Sequence, residues 1–126
     1  MQIGSTNASA LSAFGVDMLV RANNLANVNT PGFQAQNLSL MTGTDGQGVL
    51  VGLISTDKTP GPPVPGLVSI TDGGREVLSQ GYVEGSNTDI AREFVHMIGT
   101  QRAYDANAVA IRTVDDMTGM LLNMMI

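Results

Sequence analysis

The sequence predicts an α+β fold: long N- and C-terminal helices paired as an antiparallel coiled coil, with a small β-hairpin-containing insert between them. Three observations lead there. Proline-free stretches with helical apolar spacing stand at both ends, glycine and proline crowd the middle, and apolar residues recur at seven-residue intervals in both end segments.

From Thr6 to about Asn27 the apolar residues Leu11, Phe14, Met18, Ala22, Leu25 and Val28 line one side of a helix, which Thr6 or Asn7 can cap. The helix stops near Asn27 or Val28, because Pro31-Gly32 makes a tight turn and asparagine competes for backbone hydrogen bonds. Asn23, Asn24, Asn27 and Asn29 are more asparagines than a stop requires. They read either as a frayed helix end or as amides that hydrogen-bond a neighbouring chain.

The stretch 34–82 holds nine of the 15 glycines and four of the 5 prolines. Val49–Ser55 and Leu67–Ile70 are strand candidates, and Val77, Leu78 and Val83 suggest a third. Asp45-Gly46 and Asp72-Gly73-Gly74 are turn signals. The run Thr59-Pro60-Gly61-Pro62-Pro63-Val64-Pro65-Gly66 reads as a stiff spacer rather than as a PxxP ligand. So few short strands must lean on the helices or on other subunits.

A second helix is expected from about Asp89, where Thr88, Asp89 and Glu93 supply helix-start chemistry. Continued to Met125 it spans about 55 Å, too long to be wrapped by the rest of the chain. Ile90, Met97, Tyr104 and Ile111 repeat at seven, with Phe94, Ala108, Val114 and Leu121 flanking. Its evident partner is the stripe Leu11, Met18, Leu25. The longer helix leaves Met117, Met120, Leu121, Leu122, Met124, Met125 and Ile126 as an adhesive patch, and Gly99 and Gly119 mark close helix contacts. Residues 1–33 thus form a helix and Asn-rich turn, 34–82 the β/loop insert and 83–126 the C-terminal helix, the two ends making one discontinuous helical domain.

Composition narrows the function. Charged residues make up 13% of the chain, roughly half the usual share, so the chain either hides much of its surface in partners or tends to aggregate. A net charge of −5 with isolated Lys and Arg argues against nucleic acid. No run approaches the roughly 18 apolar residues of a membrane span, and Met1–Asp17 has no Lys or Arg and no compact apolar core, unlike a cleavable signal. Without cysteine the chain is indifferent to redox compartment. Catalysis finds no support: the one histidine, His96, reads as an ordinary helix residue, and no Gly-x-Ser-x-Gly elbow is present. Asp45, Asp57 and Asp72 sit in separate turns, so no metal site assembles, and no cofactor or small-molecule substrate is expected. Glu93 with Arg92 and Arg102 with Asp105 read as ion pairs on or between helices.

Two stretches carry a family resemblance. Ala22-Asn23-Asn24-Leu25-Ala26-Asn27-Val28-Asn29-Thr30-Pro31-Gly32-Phe33 resembles the N-terminal motif of the axial proteins of the bacterial flagellum, its rod, hook and hook-associated proteins. Gly81-Tyr82-Val83-Glu84-Gly85-Ser86-Asn87-Thr88-Asp89, continuing through Phe94 and Met97 to Gln101-Arg102-Ala103-Tyr104-Asp105-Ala106-Asn107, is similar to the C-terminal motif of the rod and hook group. The resemblance implies terminal helices that line a helical tube, a β-rich outer part, self-association and contact with other rod proteins. It further implies unfolded export through the flagellar type III apparatus without signal cleavage, and a rod crossing the periplasm. Subunit contacts are then expected at Asn23, Asn24, Asn27, Asn29, Asn87 and Asp89, and along the helix positions Leu11, Phe14, Met18, Leu25, Ile90, Phe94, Met97, Gln101, Arg102, Tyr104, Asn107, Ile111 and Leu121. The short chain resembles the proximal-rod, FlgC-like branch, whereas Glu84-Gly85-Ser86-Asn87-Thr88-Asp89 looks more like the distal rod. The alternatives are a distal-rod or hook-type axial protein and, from another class, a soluble coiled-coil export chaperone or adaptor.

Overall fold

The computed structural model describes residues Gln2–Met125, so Ile126, counted above in the exposed helix end, lies outside the described residues. Helix α1 (Gln2–Ala26) is followed by strands β1 (Gln36–Thr42) and β2 (Val49–Thr56), then β3 (Pro63–Asp72) and β4 (Arg75–Glu84), and by helix α2 (Ile90–Met124). The strands form two separate antiparallel hairpins, β1 with β2 and β3 with β4. Asp89 caps α2 as its composition suggested, its carboxylate accepting from the Arg92 N–H at 3.2 Å.

Strand β1 was not foreseen. Leu38 and Leu40 alternate with Asn37 and Ser39, but the run is short and carries no β-branched residue before Thr42. Between Leu38 and Leu40 the ladder shifts by one residue, so two residues of β2 oppose Ser39, a bulge that falls at Gly52. Asp72 pairs with Arg75 across Gly73 and Gly74, whose φ values of 55° and 82° fit the two-residue turn with the hand of a twisted hairpin. The proline-rich run is only partly a spacer, because Pro63 and Pro65 lie inside β3 opposite Glu84 and Tyr82. They are tolerated because β3 is an edge strand whose outward side needs no N–H partner.

The helices pack on each other, and their cross-contacts run in opposite order: Asp17 meets Thr100, and further along α1 Arg21 meets Glu93, further back on α2. The covered side of α1 differs from the expected one. Ala10, Ala13, Asp17, Val20, Arg21 and Asn24 are buried, a stripe offset from Leu11, Phe14, Met18, Ala22 and Leu25, of which Ala22 is exposed and the rest half-buried. Small and polar side chains let another backbone come close, and the bulkier ones lie on the flank. On α2 the covered line runs through Glu93, Met97, Thr100, Tyr104, Asn107, Ile111, Val114 and Thr118, alternating steps of four and three. Ile90 and Phe94, at 48% and 52% exposure, stand outside it. Gly99 and Gly119 also do not mark close helix contacts, since a Cβ at either would meet nothing within 4 Å.

Helix α2 has 35 residues and α1 has 25, so α2 outruns its partner by about 15 Å. Met117, Met120, Leu121, Leu122, Met124 and Met125 on this end are all exposed. The first hairpin lies along α1, where the Ser9 hydroxyl accepts from the Val49 N–H. The second projects, with Leu67, Ile70, Val77, Leu78 and Tyr82 in solvent.

Candidate subunit interface

Two polar knots hold these elements together. The first lies in the helix seam. Arg21 of α1 places Nη1 3.4 Å from Glu93 Oε2 on α2 and 3.3 Å from Asn37 Oδ1 on β1. Its Nε stands 3.3 Å from Asp17 Oδ1, outside hydrogen-bond geometry. The second Asp17 oxygen accepts from the Thr100 hydroxyl at 2.5 Å. Asp17, Arg21, Glu93 and Thr100 are all buried, so two carboxylates share one guanidinium away from water. Glu93 therefore pairs with Arg21 rather than Arg92, and Arg102 with Asp105 forms no ion pair among the described residues.

The second knot is made by asparagines. Asn24, fully buried, accepts from the Gln36 N–H at 2.8 Å and donates to the Gln36 carbonyl at 2.7 Å, docking the start of β1 on α1. Asn87 accepts from the Ala35 N–H at 2.6 Å and donates to the Asp57 and Thr59 carbonyls at 2.9 and 2.8 Å. One side-chain amide thereby gathers the entry to β1, the exit of β2 and the approach to α2. Asp57 in turn accepts from both the hydroxyl and the N–H of Thr59, bonds that hold its carboxyl below the usual carboxylate range. The Thr30–Phe33 turn, with Pro31 second and Gly32 third at φ 71°, directs the Gly32 N–H to the Glu84 carbonyl at 2.7 Å.

The two readings of the asparagine cluster divide by residue. Asn24 bonds its own chain, and Asn27 closes the helix end on Asn23 and Thr30, while Asn29 is exposed. Phe14 leaves the helix seam for a hollow against the first hairpin, lined also by Leu40, Met41, Thr42, Gly48 and Val49. Leu11, Met18, Leu25, Met97, Tyr104, Asn107 and Ile111 are half-buried at or beside the seam. Asn23, Asp89, Gln101, Arg102 and Leu121 are exposed. Sequence reasoning missed Asp17, Arg21, Asn37 and Thr100. The available signal was charge and hydroxyl groups at seam spacing: Asp17 and Arg21 four apart on α1, Glu93 and Thr100 seven apart on α2.

Burial is thin for so much apolar sequence. Among the described residues the buried hydrophobic side chains are Ala10, Ala13, Val20 and Ala35. The accessible surface is 8850 Å², against roughly 6,400 Å² for a compact monomer of this mass. That excess exceeds what one standard contact, about 800 Å² per partner, would cover. Among the described residues no helix is long and apolar enough to cross a membrane, and no group of three or more His, Cys, Asp or Glu is placed to hold a metal ion.

Comparisons with known proteins converge on both ends of the chain. The family described as "Flagella basal body rod protein" matches residues 5–34, and "Flagellar basal body rod FlgEFG protein C-terminal" matches 79–124, together well over half the sequence. The flagellar basal-body rod protein FlgG of Buchnera aphidicola subsp. Acyrthosiphon pisum is 46% identical over 68 residues, 52% of this chain and 24% of its own. FlgG of Borreliella burgdorferi is 44% identical over 64 residues, 51% of this chain and 23% of its own. The flagellar hook protein FlgE of Escherichia coli K12 is 43% identical over 47 residues, 37% of this chain and 12% of its own. The chain spans about a quarter of the length of the FlgG relatives it matches. The matched segments hold α1 with its asparagine turn and the end of β4 with α2; the first knot joins them to each other, and the second ties each to the segment between them. The chain belongs to the flagellar basal-body rod and hook protein family.

Proposed function

We propose that the chain is a structural subunit of the flagellar axial shaft, polymerising with copies of itself and with other rod proteins to carry torque from motor to hook. The observation that carries this reading is the surplus of exposed apolar surface, spread over the α2 overhang and both hairpins. Left in water such surface drives aggregation, whereas in a tube each patch lies against a neighbour. In this reading α1 and α2 pair as an antiparallel coiled coil, supported by the alternating four-and-three line on α2 and the reversed order of the cross-contacts. The half-buried flank of α1, with Leu11, Met18 and Leu25, and the exposed Ile90, Phe94 and Leu121 then belong to contacts between subunits. The shaft has no catalytic or cofactor site, and its subunits travel unfolded through the flagellar export apparatus to a rod in the periplasm.

The FlgG and FlgE relatives, and a C-terminal match to the FlgE, FlgF and FlgG group, favour a distal-rod or hook-side position over the FlgC-like one. A deletion strain tests both levels. Motility is expected to be lost and restored by the full chain, with basal-body assembly halting after the proximal rod. A strain that swims normally overturns the axial role, and a halt before any rod forms overturns the distal position.

A further inference from the structure

Heptad seams carry a degeneracy: sliding one helix by seven residues brings equivalent positions back into contact. Here the degeneracy is severe. On α2, Met97, Tyr104 and Ile111 succeed one another at seven, and the facing α1 positions Ala10 and Ala13 are too small to discriminate among them. A slip of one heptad would change the α2 overhang by about 10 Å.

Resting on the paired-helix reading, we infer that the buried layer of Asp17, Arg21, Glu93 and Thr100 is the register key that admits one alignment of α1 on α2. In the observed register Asp17 receives the Thr100 hydroxyl and Arg21 reaches Glu93. Sliding one way sets Asp17 against Asn107 and turns Arg21 toward Thr100, burying a guanidinium without Glu93. Sliding the other way sets Asp17 against Glu93, two carboxylates in a dry seam. Asp17 stays beside Arg21 on α1 in every register, so the penalty falls on Glu93: one slip parts it from Arg21 and the other sets it against Asp17, a cost an apolar layer would not carry. Asn37 extends the key to the first hairpin through its contact with Arg21.

The chain has no cysteine, so introduced pairs report register without background. Counting from the Asp17–Thr100 contact, Ala10 falls opposite Asn107 in register and opposite Val114 after a slip. The full-length double variant Ala10→Cys/Asn107→Cys is expected to cross-link on mild oxidation, and Ala10→Cys/Val114→Cys is not. With Asp17→Leu, Arg21→Met and Glu93→Leu added, both pairs are expected to cross-link while circular dichroism keeps its helical signal. Retention of the 10–107 link alone in that background overturns the key, as does loss of helix, which would make the layer a source of stability and not of register. Absence of the 10–107 link in the otherwise native chain overturns the helix pairing itself.

Discussion

Asn24→Ala tests whether β1 is docked by a side chain rather than by packing. Asn24 is fully buried, and its amide makes two short hydrogen bonds to the backbone of Gln36. Truncation removes both bonds, each worth about 1 kcal/mol net, and leaves a partly covered N–H and C=O without partners at about 1 kcal/mol or more between them. The sum is about 3 kcal/mol, which for a chain of this size lowers the melting temperature by roughly 10 °C. Thermal denaturation followed by circular dichroism reads the total, and hydrogen exchange at the Gln36 amide reads the local part, where protection should collapse. Asn24→Asp keeps the acceptor and loses the donor, so it should preserve more Gln36 protection than alanine does. A melting temperature within 2–3 °C of the native chain, or unchanged Gln36 exchange, would refute the docking argument; these thresholds are about 1 kcal/mol or less.

Other consequences are accessible to similar measurements. Arg21→Ala leaves Asp17 and Glu93 buried without their cation and should cost about 3–5 kcal/mol in urea unfolding, more than any surface change on the same helix. Gly32→Ala forces a side chain into φ 71° and should cost about 1–2 kcal/mol, with Gly32→Asn milder, as melting curves would show. Thr59→Val removes the hydroxyl that first lowers the Asp57 pKa, so an NMR titration should find that pKa moved up toward the ordinary carboxylate value. Because the folded pKa is depressed, the Asp57–Thr59 contribution is present above the ordinary value and fades as pH falls through the lowered one. Leu121→Ser, on the exposed overhang, should leave the melting temperature of the subunit almost unchanged, an effect within about 0.5 kcal/mol, yet abolish swimming in a complementation assay.

What the sequence disclosed, and what it hid, follow from which forces leave a local mark. Asp89 at the start of α2, the Asp72-Gly73-Gly74 turn and the Pro31-Gly32 turn are short-range chemistry, and each sits where its residues require. The length mismatch of the helices was equally legible, because it depends only on where proline stops and caps begin. The α1 seam was not. Periodicity weighs large side chains, and it selected Leu11, Met18 and Leu25, whereas close approach selects Ala10, Ala13 and polar groups that find partners across the seam. A partner such as Glu93 for Arg21 lies 72 positions away, beyond any local pattern. Strand β1 escaped for a related reason: Asn24 and Asn87 fix its position from outside, and its own residues contribute little strand preference. The family motif around Asn23–Asn29 was visible, but the assignment of Asn24 to its own chain needed the fold.

The amide of Asn87 has a mechanical meaning. The second hairpin joins the rest of the chain through the segments around Asp57–Thr59 and Gly85–Asp89, and the Asn87 side chain bonds the first of these and, at Ala35, the entry to β1. In the proposed shaft, a twist applied to that hairpin follows those segments inward, so much of the load passes through a rivet of a few hydrogen bonds. Stiffness there depends on bond geometry rather than on the volume of a core. A rivet of this kind transmits small torsions faithfully and, when overloaded, yields at a defined point, leaving the hairpins and helices on either side intact.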